Sequence, residues 1–178
     1  DRANFEDLFY NHQVYPGSQD SSGQYTPTGI AIGYGSRVQS VQSNFVQGSF
    51  RQTGEALDLA IEGTGFFQVL DPSSGETVYT RAGNFSINAN GEIVMGSASI
   101  GRLLEPSVTI PEDATDISIS PEGIVSVKQP GSVQLSQVGQ IELARFVNAE
   151  GLLKIGENLY AETDASGTAT LATPGQDG

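Results

Sequence analysis

The sequence predicts a mainly β protein: a compact β-rich domain of short hairpins, with an extended arm and a short N-terminal helix. Three observations carry that expectation. Apolar and polar residues alternate with a period of two, as where Leu57, Leu59 and Ile61 interleave with Asp58, Ala60 and Glu62, the pattern of a half-buried strand. Short apolar runs are separated by turn residues, which 22 glycines and 8 prolines in 178 residues supply. Nowhere does a helical apolar period last ten residues.

In chain order, residues 2–11 place Phe5, Leu8 and Phe9 three and four positions apart around Glu6 and Asp7, which predicts a short amphipathic helix. Residues 13–35 then break into Pro16-Gly17-Ser18, Ser21-Ser22-Gly23, Pro27 and Gly29, so a long loop or extended arm is expected there. Four of the six tyrosines, Tyr10, Tyr15, Tyr25 and Tyr34, lie in or beside it. A strand is predicted at 57–61, followed by a turn at Gly63-Thr64-Gly65 and the apolar run Phe66-Phe67-Gln68-Val69-Leu70. Asp71-Pro72-Ser73-Ser74-Gly75 reads as a hairpin loop, with 76–80 returning as the partner strand. Hairpins are also predicted around Asn90-Gly91, Glu122-Gly123 and Glu150-Gly151, each with glycine where a tight turn calls for positive φ. Residues 133–146 read as one longer strand and 165–178 as a mobile tail.

The expected organisation is an inner-domain segment at 1–50 carrying the arm, an outer β-rich domain at 51–140, and a return segment with the C-terminal tail at 141–178. The opening at Asp1 rather than Met leads to the expectation of a fragment of something longer.

Composition argues against several kinds of chemistry. Twenty-one acidic and 8 basic residues give a net charge of −13, which disfavours nucleic acid and anionic membranes as partners. There is no cysteine, hence no disulfide, thiolate nucleophile or thiolate metal site. The one histidine, His12, lacks an evident nucleophile and carboxylate partner and is expected at a helix end as a surface or interface residue. Asn88-x-Asn90-x-Glu92 has the alternation of a calcium loop without its length or its aspartates. Gly63-x-Gly65 is too short to cradle phosphate and opens a strand rather than a helix. The expectation is no enzyme: no catalytic residues, no metal site and no cofactor.

Several segments resemble the bacterial flagellar rod and hook proteins. They are Ala56-Leu57-Asp58-Leu59-Ala60-Ile61-Glu62-Gly63-Thr64-Gly65-Phe66-Phe67-Gln68-Val69, then Tyr79-Thr80-Arg81-Ala82-Gly83-Asn84-Phe85 with Asn90-Gly91, and Gly156-Glu157-Asn158-Leu159-Tyr160-Ala161-Glu162-Thr163. The opening Asn4-Phe5-Glu6-Asp7-Leu8-Phe9-Tyr10 and the arm through Pro27-x-Gly29-Ile30-x-Ile32-Gly33-x-Gly35 resemble the distal rod branch.

The resemblance implies a structural subunit of the basal body, exported through the flagellar secretion channel without a cleaved signal peptide. Such subunits stack into a rigid, periplasm-spanning tube that transmits torque. The partners implied are other copies of itself, the proximal rod and hook proteins, and the peptidoglycan and outer-membrane ring proteins. Terminal helices build the inner layer of the tube in that family. No heptad-like segment precedes Asp1 or follows Gly178, so the chain is expected to be a central fragment and monomeric in solution. Tyr15, Tyr25, Ile30, Ile32 and Tyr34 on the arm are the candidate subunit contacts, since tyrosine is enriched at protein interfaces. A hook-type or proximal rod paralogue stays open as an alternative. So does a secreted β-rich binding module, for which aromatics clustered on one strand face are expected.

Overall fold

The computed structural model describes residues 1–19, 21–25, 27–96, 101–131 and 134–175. The chain is mainly β and forms two compact units, Asp1–Phe45 and Val46–Gly178.

The first unit is a two-stranded antiparallel ribbon. Strand β1 (Arg2–Asp7) continues into β2 (Tyr10–Val14), and β3 (Ile30–Gly33) continues into β4 (Ser36–Gln42). β1 pairs with β4 from Arg2↔Gln42 to Asp7↔Ser36, and β2 pairs with β3 from Tyr10↔Gly33 to Val14↔Ile30. Leu8 N–H donates to the Gly35 carbonyl at 2.8 Å and Tyr34 N–H to the Phe9 carbonyl at 3.1 Å, which carries the ladder across the break. From Arg2 to Val14 the ribbon runs for roughly 40 Å at the strand rise.

The short helix expected at residues 2–11 is therefore not formed; β1 and β2 stand in its place. The i, i+3, i+4 spacing of Phe5, Leu8 and Phe9 is compatible with a helix, but one of about ten residues is marginal without a surface to pack on. Aromatic and Asn residues favour it little, and the β-branched Val38 and Val41 lie on the strand that pairs with them. The arm, likewise, is no irregular loop along its whole length. Its two ends are the paired strands β2 and β3, closed by an isolated Gln19↔Tyr25 bridge near the tip.

The second unit packs a nine-stranded sheet against a three-stranded one. The large sheet contains β5 (Phe66–Leu70), β6 (Thr77–Thr80), β7 (Phe85–Ile87), β8 (Ile93–Met95) and β9 (Arg102–Glu105). The small sheet orders β10 (Asp116–Ile119), β11 (Ile124–Lys128) and β12 (Ser136–Gln140). The chain then returns to the large sheet as β13 (Leu143–Arg145), β14 (Leu153–Gly156), β15 (Leu159–Ala161) and β16 (Thr170–Ala172). Alternate residues of β5 and β6, Phe67, Val69 and Val78, meet Leu104, Val108, Ile110, Val125, Val127 and Ile141 in one core. Val69, Leu104, Val125 and Val127 are completely buried, each contributing on the order of 2 kcal/mol by removal from water.

The expected hairpins at Asp71–Gly75, Asn90-Gly91 and Glu122-Gly123 form, with Gly75, Gly91 and Gly123 at φ of 72°, 79° and 75°. Four expectations are corrected. Residues 57–61 alternate in burial as a strand does, yet they join the fold through a single Asp58↔Asn84 bridge rather than a ladder. Around Glu150-Gly151 there is no hairpin but a single 3₁₀ turn (Ala149–Gly151), because β13 pairs with β5 and β16 instead of β14. The long strand expected over 133–146 is two strands, β12 and β13, in different sheets; Val133 lies outside the described residues. The tail expected from 165 holds a completely buried Ser166 and the paired strand β16, so its small residues serve close packing; residues 176–178 lie outside the described residues.

Candidate functional site

Directly opposed residues in an antiparallel pair share a face, and faces alternate along each strand. From the register, one face of the β1–β4 ladder carries Val41 opposite Ala3, Phe5 opposite Val38 and Asp7 opposite Ser36, and one face of the β2–β3 ladder carries Ile32 opposite Asn11, with Phe9 and Tyr34 at its start. A bulge at Gln13, between His12↔Ala31 and Val14↔Ile30, resets the alternation so that Val14 and Ile30 fall on this same face. The other face of the β1–β4 ladder holds Arg2, Asn4 and Glu6 against Gln42, Ser40 and Arg37, and that of the β2–β3 ladder holds Tyr10 and His12 against Gly33 and Ala31. There Arg37 pairs with Glu6, Asn4 Nδ2 donates to Ser40 Oγ at 3.1 Å, and the Tyr10 ring lies over Gly33, which has no side chain to displace it.

Each ladder thus has one more polar face and one apolar face, the latter rich in exposed side chains. Phe9 is 89% exposed, Phe5 68% and Tyr34 67%; Val41, Ile30, Val38 and Ile32 are also exposed. An isolated two-stranded ribbon is marginal in water, and this number of exposed large apolar side chains makes it the candidate contact region.

Of the candidate contact residues, Ile30, Ile32 and Tyr34 lie together on the apolar face. Tyr15 and Tyr25 lie instead towards the tip, where Tyr15 stacks on His12 with ring centroids 5.3 Å apart and Tyr25 bridges Gln19. His12 sits on strand β2 and not at a helix end. Phe9 and Val14 on the β2–β3 ladder, and Phe5, Val38 and Val41 on the β1–β4 ladder, were not among the residues picked out by sequence. The available signal was the period-two row of Ile30, Ile32 and Tyr34, which needs a partner strand with matching apolar positions.

The second unit carries its polar features as structural fasteners. Thr80, fully buried, donates its hydroxyl to the Asn158 carbonyl at 2.9 Å and accepts the Ala82 N–H at 3.1 Å. Asp71 accepts from the hydroxyls of Ser73 and Ser74 and lies 3.4 Å from the Arg102 guanidinium. The Ser73 hydrogen bond leads in holding its carboxyl below the ordinary value. Burial pushes the Tyr79 phenol up, and Glu162 and Glu105 add to the effect. A cavity of about 420 Å³ is walled by Leu59, Ile61, Phe67, Ile141 and Leu143, with Glu62 and Arg145 at its lining. Among the described residues no group of three or more His, Cys, Asp or Glu is placed to hold a metal ion, and no helix is long and apolar enough to cross a membrane.

The flagellar hook protein FlgE/F/G D1 domain matches residues 60–127. The flagellar basal-body rod protein FlgG of Caulobacter vibrioides is 51% identical over 99% of this chain, and that of Borreliella burgdorferi 40% identical over 99%. The chain belongs to the flagellar basal-body rod protein family. It spans 66% of the length of each of those two relatives. The flagellar hook protein FlgE of Helicobacter mustelae is 37% identical over 52% of this chain, which covers 20% of that protein. Family membership places the chain in the flagellar basal-body rod. The exposed ribbon face is to be read in that setting.

Proposed function

We propose that, within its full-length protein, this chain is a structural subunit of the distal rod, the rigid tube that transmits torque from motor to hook. The observation that carries this reading is the ribbon: about 40 Å of paired strand on which Phe5, Phe9, Ile32, Tyr34, Val38 and Val41 are all exposed. In this reading the occupant of such a face is a neighbouring copy of the same chain. Burying a row of this size between copies ties each subunit to the next and resists the sliding that bending requires. Each well-buried aromatic anchor contributes on the order of 2 kcal/mol. Tyr15 and Tyr25 at the tip add contact with a further part of the neighbour.

In this reading the work is mechanical and the protein is not an enzyme; a stiff β fold with interlocking surfaces suffices. The subunit reaches the periplasm-spanning rod by flagellar export without a cleaved signal peptide. It adjoins proximal rod and hook proteins and turns inside the peptidoglycan and outer-membrane rings.

The test is Phe9→Ser combined with Val38→Thr in the full-length protein, with Ser40→Ala on the polar face as control. Cells with the double variant should make short or absent rods and lose motility, while the Ser40→Ala strain swims normally. Full-length rods and normal motility with a folded double variant would refute the assignment.

A further inference from the structure

The Asn88–Glu92 turn contains the one Asn-Gly step of the chain, Asn90-Gly91. Such a step is chemically labile, because glycine has no Cβ to keep its amide nitrogen away from the preceding side chain. The Gly91 nitrogen attacks Asn90 Cγ, forming a five-membered succinimide. The side-chain nitrogen leaves as ammonia, carrying the proton lost by Gly91. Water then opens the ring at either carbonyl, giving aspartate or isoaspartate. Overall one water is consumed, one ammonia released and one negative charge gained, with no change of oxidation state.

The fold holds both reactants away from that attack. Gly91 is buried, and its N–H donates to the Asn88 carbonyl at 3.0 Å. Its own carbonyl accepts the Ile110 N–H at 2.7 Å. The Asn90 and Glu92 N–H groups both donate to Asn88 Oδ1 at 2.9 Å, and Asn88 Nδ2 donates to Glu92 Oε2 at 2.8 Å. Swinging the Gly91 nitrogen towards Asn90 Cγ requires this turn to open. The isoaspartyl product lengthens the backbone by one methylene between residue 90 and the Gly91 nitrogen, which carries Gly91 out of register with the Asn88 carbonyl and the Ile110 N–H that it bonds in the closed turn.

We propose that Asn90 is a deamidation site gated by folding, reactive in the unfolded chain and protected in the native one, whose isoaspartyl product cannot re-form the β7–β8 hairpin. A chain that must wait unfolded before assembly thus accumulates damage that a folded one avoids.

The experiment incubates native and urea-unfolded protein in the same mildly alkaline buffer and follows the tryptic peptide 82–102 by mass spectrometry. Conversion at Asn90 should be at least roughly tenfold faster in the unfolded sample, a ratio that corresponds to about 1.4 kcal/mol of turn opening. Equal rates would overturn the gating. The unfolded, partly converted sample is then refolded and its native fraction isolated by resistance to protease. Isoaspartate should be depleted from that fraction, whereas an Asn90→Asp variant, with the charge but not the methylene, should refold fully. Isoaspartate in the native fraction at its input level would overturn the second half, as would failure of Asn90→Asp to refold, which would assign the defect to charge.

Discussion

Gly83 has a contact that no other residue can make. It lies between β6 and β7, where its carbonyl accepts the Leu59 N–H at 2.9 Å and the 57–59 segment runs alongside. A Cβ built there falls 1.7 Å from the Leu59 carbonyl oxygen and 2.7 Å from its carbon. Even a close C···O approach is about 3.3 Å, so Gly83→Ala must push the segment away by roughly 1.5 Å. The move breaks the Leu59–Gly83 hydrogen bond and the 3.4 Å bond from Phe85 N–H to the Leu57 carbonyl, at about 1 kcal/mol each. It also lifts Leu57 and Leu59, which pack against the core, and half re-exposing each adds about 1 kcal/mol. The sum is about 4 kcal/mol, a large share of the 5–15 kcal/mol that holds a typical domain. For a unit of this size that lowers Tm by about 10–15 °C. Gly54→Ala is the control, since a Cβ at Gly54 meets nothing within 4 Å and its backbone is not left-handed. It should be neutral or slightly stabilising through the unfolded chain. Urea and thermal unfolding followed by circular dichroism measure both variants. A Gly83→Ala protein as stable as Gly54→Ala would refute the reasoning.

Thr80→Val keeps the shape of a fully buried side chain while removing the hydroxyl that serves Asn158 and Ala82; it should cost about 1–3 kcal/mol in urea unfolding. Because the Asp71 carboxyl is held below its ordinary value, its contribution is fully present above about pH 4 and is lost as pH falls through the depressed folded value. Asp71→Asn should therefore flatten the acid limb of the stability curve below about pH 4 and leave its shape near neutrality unchanged. Glu157 has a left-handed φ of 52° in the β14–β15 turn and lies 2.8 Å from Arg102 while largely exposed. Glu157→Asn eases the backbone at the cost of an exposed ion pair worth little, so thermal stability should hold or rise by a few tenths of a kcal/mol.

Legibility in the sequence followed the range of the interactions. The hairpins at Gly75, Gly91 and Gly123 were readable because turn chemistry is local: one glycine at positive φ between two apolar runs determines each. The 57–61 segment shows the limit, as its alternation reports burial correctly but says nothing about how many hydrogen bonds it makes. Phe146 to Leu152 has the same text as a hairpin, yet β13 finds β5 and β16, partners 76 and 25 residues away at Leu143↔Phe67 and Arg145↔Thr170, and no local pattern encodes that choice. The ribbon face was hidden for a related reason. Phe5 and Phe9 sit four apart, a spacing that a helix and a strand both place on one side, and only pairing with Val38 and Tyr34 decides between them. The bulge at Gln13 then moves Val14 onto the face of Ile30 and Ile32, where period counting along β2 alone would not place it.

The central claim is that the apolar ribbon face is the contact between copies in the rod. Within these 178 residues there is no cysteine to compete for a label. Val38→Cys and Ser40→Cys place single thiols on opposite faces of β4, and maleimide labelling compares each in the free full-length subunit and in the assembled rod. The account predicts that assembly protects the thiol introduced by Val38→Cys at least roughly tenfold more than the one introduced by Ser40→Cys, as expected for a desolvated interface centre against an open face. Equal labelling of the Val38→Cys thiol in the free subunit and in the rod would contradict it.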